Sequence, residues 1–171
     1  MSMHDNINTE VRSCITTALL DMMYERSLTE ISICDIAKRA GVARVTFYRN
    51  FSSKEDVLVC HMNELSEKWY GNYMKHPEED IICSLFHFLY SIRDTLALLY
   101  RSNLSEIIHR SFYISCGPRR EHSNEDAYRR AILYGMLTSW CDEWFRRGMK
   151  ESPEQLAAFY LKIYNHEITL R

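Results

Sequence analysis

Five glycines and three prolines are all that punctuate 171 residues, and Pro77, Pro118 and Pro153 stand between periodic segments. Helix-breaking residues this scarce do not suit a loop-rich chain, and β-branched alternation is hard to find anywhere. The fold class that follows is all-α. Hydrophobic residues at 46% and charged residues at 26% lie in the globular range. The length suits one ordinary domain, or a small domain joined to a larger one.

Apolar spacing locates the helices. Val11, Ile15, Ala18, Leu19 and Met22 share one helical face. After a break at "RSLTEIS", Ser32 with Asp35 three residues on forms a capping pattern, and a short second helix carrying Ile33, Ile36, Ala37 and Ala40 ends at Gly41. Glycine suits the left-handed conformation that closes a helix, because it has no Cβ to clash there. The next helix, Arg44–Asn50, begins so soon afterwards that the two must cross steeply, which is helix-turn-helix geometry. Ser52 or Ser53 then caps a longer helix with Leu58, Met62, Leu65 and Trp69 on one face, fading near "GNYMKHP". Further helices are expected over 78–91, 95–101 and 104–115. A polar loop "CGPRREHSNE" follows, then a long helix to about Arg147 ended by Gly148, and a last helix opened by Ser152-Pro153-Glu154-Gln155.

The charge distribution adds a local feature. The chain has a net charge of -2, yet from Lys38 to Lys54 it carries Lys38, Arg39, Arg44, Arg49 and Lys54 and no acid. Ala37, Ala40, Val42, Phe47 and Phe51 can build a small core under the turn, leaving Arg44, Thr46, Tyr48, Arg49 and Lys54 outward. Such cationic and hydroxyl side chains hold phosphates and read base edges. A solvated face on an ordinary helical hairpin has the same charge pattern.

Rival chemistries find less support. The seven histidines form no H-x-x-x-H pair, and the six cysteines form no C-x-x-C pair, so no metal site is spelled out. No P-loop or G-x-G-x-x-G is present. No cofactor and no catalysis are expected. Cys34, beside the second helix, is read as a small thiol rather than a redox switch. The most apolar run, "IICSLFHFLY", is short and interrupted by His87, so no membrane span is expected and a cytosolic location is.

The segment "SICDIAKRAGVARVTFYRNFSSKEDVL" resembles the DNA-binding signature of the TetR family of bacterial transcription regulators. The resemblance lies in the Ile-Ala pair, the Ala-Gly-Val turn, the Thr-Phe-Tyr of the third helix, the aromatic at Phe51 and the Ser-Lys-Glu opening the fourth helix. It implies a helix-turn-helix domain over residues 1–55 and a helical effector-binding and dimerisation domain over 56–171. It also implies a homodimer on a palindromic operator in double-stranded DNA, in the role of a repressor. On that resemblance Arg44 and Val45 face the bases, Tyr48 and Lys54 hold phosphates, and Ser32, Thr46 and Arg49 lie at or near the backbone. One departure is Ala43, where many relatives have Ser. The third helix then lacks a side-chain N-cap, a loss typically near 1 kcal/mol, and a phosphate would satisfy the free N–H groups. The segment "YGMLTSWCDEWFRRGMKESPEQLA" is similar to a subgroup that includes regulators of dihydroxyacetone kinase operons, which implies a protein co-regulator as a further partner and leaves activation open.

The C-terminal part is rich in aromatics, Trp69, Tyr70, Tyr73, Phe86, Phe88, Tyr90, Tyr100, Phe112, Tyr113 and Trp140, and at helical spacing most of these are expected in the core. His87, His109 and Tyr113 are candidates to orient a small-molecule effector. The long helix has apolar stripes on more than one face: Tyr128, Ile132, Met136 and Trp140, and also Leu133, Leu137, Trp140, Cys141 and Trp144. With Tyr160, Ile163 and Tyr164 on the last helix, this surplus points to a four-helix seam around a two-fold axis. A helix buried centrally in the monomer is the competing explanation. Two alternatives to a DNA-binding regulator remain: a co-regulator acting only through a partner protein, and a helical small-molecule-binding protein.

Overall fold

The computed structural model describes residues 3–76 and 80–164, with side chains from residue 8 to residue 163. Among the described residues every regular element is helical: α1 (Met3–Glu25), a single 3₁₀ turn (Leu28–Glu30), α2 (Ile33–Arg39), α3 (Arg44–Asn50), α4 (Lys54–Tyr73), α5 (Ile81–Ser91), α6 (Arg93–Arg101), α7 (Ser105–Cys116), α8 (Asn124–Arg146) and α9 (Pro153–Tyr164). No single helix among them is long and apolar enough to cross a membrane.

The helix ends explain the boundaries. α1 begins well before Val11, since nothing in its polar first turns breaks a helix. The 78–91 expectation begins in residues outside those described, and α5 starts at Ile81 because Asp80 Oδ1 accepts the N–H groups of Ile82 and Cys83 at 2.9 and 3.0 Å. α9 opens with the expected capping box: Ser152 N–H donates to Gln155 Oε1 at 2.8 Å, and Gln155 N–H returns to Ser152 Oγ at 3.4 Å. α6 ends at a residue that sequence reading passed over. Asn103 takes φ +57, the commonest substitute for glycine at a left-handed cap.

The chain forms two compact units. The first comprises residues 1–64 and 98–111, and the second residues 65–97 and 112–171. In the first, the α1 face expected from its spacing is buried at Ile15, Leu19 and Met22, together with Ile36, Phe47, Phe51, Leu58 and Met62. Two turns of α3 are thus held mainly by Phe47, at 0% exposure, and by Phe51 just beyond its end. In the second unit α5 packs on α9. Its core draws on Phe86, Phe88, Leu89, Leu137, Cys141, Trp144 and Leu156. Burial pushes the Cys141 thiol up to about 12.

Among the aromatics of the C-terminal part, Phe86, Phe88 and Phe112 are buried, whereas Tyr70 and Tyr113 are exposed. Of the residues expected at a seam between copies, Leu137 and Trp144 are buried inside the chain itself, at 6% and 3% exposure. Trp144 lies 6.2 Å from the Tyr90 ring. Leu133, Trp140 and Tyr160 are half-buried, with Trp140 between Phe86 and Tyr160, and the side chain of Tyr164 lies outside the described residues. Part of the apolar excess on α8 is therefore central core. The part left at the surface is Tyr128 and Ile132 on α8, with Phe159, Leu161 and Ile163 on α9.

Candidate nucleic-acid interface

The turn between α2 and α3 closes with paired hydrogen bonds. Gly41 N–H donates to the Lys38 carbonyl at 3.2 Å and Val42 N–H to the Ala37 carbonyl at 2.9 Å. This double closure requires a left-handed residue after the cap, and Gly41 supplies φ +70. The chain then re-enters helix at Arg44. Ala43 holds extended φ and ψ and makes no side-chain cap.

From this start α3 turns Phe47 inward and leaves Arg44, Val45, Tyr48 and Arg49 exposed, with Thr46 half-buried. Arg44 Nη2 donates to Tyr48 Oη at 3.2 Å, and its guanidinium carbon sits 5.5 Å from the Tyr48 ring centroid. That hydrogen bond holds the Arg44 pKa above its ordinary value. Two potential DNA contacts are thereby arranged on one face before any ligand arrives.

The basic run divides into different roles. Arg39 faces acids of α1, Glu25 at 2.9 Å and Asp21 at 3.8 Å. Lys54 Nζ donates to the carbonyls of Leu28 and Ile31 at 2.6 and 2.7 Å, so two of its three donors hold the 3₁₀ turn that leads into α2. Ser32 caps α2: its hydroxyl accepts Asp35 N–H at 3.1 Å and donates to Asp35 Oδ2 at 2.8 Å. The bonds from Ser32, side chain first and backbone second, hold the Asp35 carboxyl below the usual range. Lys38, Arg44 and Arg49 are left exposed.

One cation close to α3 has no signature in the sequence. Arg12, on α1, donates from Nη1 to the Asn50 carbonyl at 3.0 Å and from Nη2 to Glu64 Oε1 at 3.1 Å. Its guanidinium also lies 4.4 Å from the Phe51 ring centroid. Burial works against its charge, but hydrogen bonds with Cys60 and Glu64 outweigh this and hold its pKa above the ordinary value. Nothing in the local pattern of α1 distinguishes Arg12 from a solvated arginine.

Residues 15–59 match the family model described as bacterial regulatory proteins, tetR family. The helix-turn-helix segment is TetR-like. Over 45 residues the chain is 42% identical to the HTH-type transcriptional regulator EthR of Mycobacterium tuberculosis, covering 26% of this chain and 21% of that protein. Over 67 residues it is 34% identical to the fatty acid metabolism regulator protein of Bacillus subtilis, covering 39% and 32%. The chain thus spans less than a third of the length of these curated relatives. Two solved structures have a similar fold along most of the chain. The fatty acid degradation regulator FadR from Bacillus halodurans has a TM-score of 0.54 and 19% identity, covering 91% of this chain and 93% of its own. NalD of Pseudomonas aeruginosa, the secondary repressor of the MexAB-OprM multidrug efflux pump, has a TM-score of 0.54 and 17% identity, covering 90% and 94%.

The second unit holds a cavity of about 520 Å³, within the size range of small-molecule sites. Its wall includes Lys68, Trp69, Tyr73, His76, His87 and Phe88. The Trp69 ring stacks with Phe88 at 5.3 Å and with Tyr73 at 6.3 Å, and its N–H donates to Ser84 Oγ at 3.1 Å. Of the three residues expected to orient an effector, His87 lines this cavity, with Nε2 at 3.4 Å from Glu154 Oε1. The other two lie elsewhere. Tyr113 meets Tyr134 edge-on at 5.5 Å, and His109 belongs to the first compact unit. Helical spacing gives no sign that α7 is divided between the two compact units, with His109 in one and Tyr113 in the other.

Proposed function

We propose that the chain is a TetR-like DNA-binding transcriptional regulator, a repressor that binds a palindromic operator as a homodimer in the cytoplasm. The observation that carries this reading is the face of α3. Arg44, Val45, Tyr48 and Arg49 stand exposed on a short helix whose other side is fixed by Phe47, within a segment matched to the tetR family. Cations and a phenol on a helix of this size fit a major groove. In this reading Arg44 and Val45 meet base edges, while Tyr48, Thr46 and Arg49 meet the backbone. Lys54 has one donor left for a phosphate, and Ser32 acts by fixing the start of α2.

The cavity beside Trp69 is the proposed effector site. Stacked rings with Lys68, His76 and His87 around them suit a flat apolar molecule carrying an anionic group. The two-fold contact is proposed on α8 and α9 through Tyr128, Ile132, Phe159 and Ile163, whose side chains are exposed. The relation of residues 134–157 to the dihydroxyacetone kinase regulator subgroup, and with it a protein co-regulator, rests on that stretch of sequence alone. A band shift with the DNA upstream of its own gene, against random duplex of equal length, tests the main reading. Retardation of both duplexes alike across the full salt range would refute operator recognition.

A further inference from the structure

A helix of seven residues cannot keep a fixed direction through its own hydrogen bonds, since so few are made and the ends stay open. The C-terminal end of α3 is nevertheless tied from outside. Arg12 places one N–H on the carbonyl of Asn50, the last residue of α3, and a second on Glu64 of α4, while its planar face covers Phe51. One guanidinium thus joins α1, the end of α3 and the middle of α4. Its charge also sits where the helix dipole favours a cation.

From these contacts we infer that Arg12 is a positioning residue for DNA recognition, fixing the angle at which α3 presents Arg44 and Val45 without itself touching DNA. The inference rests on the reading of α3 as the DNA-contacting helix. Arg12 is only partly exposed, at 27% of its side chain, and two of its donors are already engaged within the protein. A lysine there would keep the charge but lose the fork that reaches both acceptors.

Salt dependence separates this role from a direct phosphate contact. Removing one cation from a phosphate lowers the slope of log affinity against log salt by about one, whereas a tilted α3 lowers discrimination and leaves that slope alone. The experiment uses the full chain and a duplex selected from a random pool by the wild-type protein, with a scrambled duplex as reference. Arg12→Gln and Arg12→Lys should lower the selected-to-scrambled affinity ratio about tenfold, roughly the effect of one charged hydrogen bond, with an unchanged salt slope. Amide hydrogen exchange over residues 48–51 of the free protein should accelerate in both variants, and α2 amides should keep their rates. Glu64→Ala, which removes that acceptor and leaves the Asn50 contact, should give a smaller loss in the same direction and covers the case in which Arg12 variants fold poorly.

A salt slope reduced by about one in Arg12→Gln would make Arg12 a phosphate contact and overturn the inference. Unchanged exchange together with an unchanged ratio would overturn it equally. If the wild-type chain selects no duplex, the DNA reading fails, and exchange over residues 48–51 alone then decides whether Arg12 holds the end of α3.

Discussion

Gly41 tests the turn that aims α3. Its φ is +70, and a Cβ built on it meets nothing within 4 Å. A substitution there therefore changes the intrinsic cost of a left-handed backbone and leaves packing alone. For alanine that cost is about 1–2 kcal/mol. Asparagine, which tolerates the conformation, should cost less, and valine, branched at Cβ, should cost more. For a chain of this size each kcal/mol is worth about 2–4 °C in Tm. The expected order of stability is Gly, Asn, Ala, Val, measured by urea denaturation with the m-value unchanged. Gly71→Ala is the control: it lies inside α4, has no positive φ and also meets nothing within 4 Å. It should stabilise by roughly 0.8–1 kcal/mol through helix propensity. If Gly41→Ala and Gly71→Ala shifted the midpoint in the same direction, the left-handed junction would be refuted.

Four other outcomes are expected. Lys54→Met should cost about 1.5–3 kcal/mol because two carbonyls lose a charged donor, and a DNA salt slope lowered by about one would show that Lys54 holds a phosphate as well. Arg44→Ala should relax base preference, a contact worth about 1–3 kcal/mol, and Tyr48→Phe should weaken selected and random duplexes alike; competition titrations distinguish the two. His61, half-buried on α4, has its pKa depressed because burial outweighs the pull of Glu64. The folded state thus favours neutral His61, and stability is full above the unfolded pKa of about 6.5 and falls as pH drops below it toward the folded value; a smaller loss from pH 7.5 to 5.5 in His61→Gln checks the sign. Ile132→Asp should yield a folded monomer by sedimentation, whereas Trp144→Glu, placed in the core, should lose helical signal instead.

Elements with local signatures were legible in the sequence. Ser32 with Asp35, Gly41, and the i, i+4 spacing of Phe47 and Phe51 are local signals, so spacing alone located α2, the turn and α3, although the Arg12 side chain that covers Phe51 comes from far off in sequence. Side chains that act across long sequence distances were not legible. Whether Leu137 and Trp144 face a second copy or the chain's own core depends on how α5, α8 and α9 pack. Periodicity shows that a face is apolar and does not show what covers it. His109 and Tyr113, close in sequence on one helix, fall in different compact units for the same reason.

Cations divide along the same line. Lys54 and Arg12 look like ordinary surface charges, yet Lys54 holds carbonyls twenty-odd residues upstream, on the approach to α2, and Arg12 holds the carbonyl that ends α3. A reading helix of two turns makes too few hydrogen bonds of its own to be stiff, and carbonyls at helix and turn ends are strong acceptors without intrahelical partners. Cations from distant parts of the chain meet that need without adding apolar surface beside a polar ligand. The basic run from Lys38 to Lys54 thus serves two ends: Arg44 and Arg49 face outward, Lys54 faces the protein, and Arg39, itself exposed, pairs with acids of α1. Changing an inward cation should lower selectivity through geometry, and changing an outward one should lower affinity through contact.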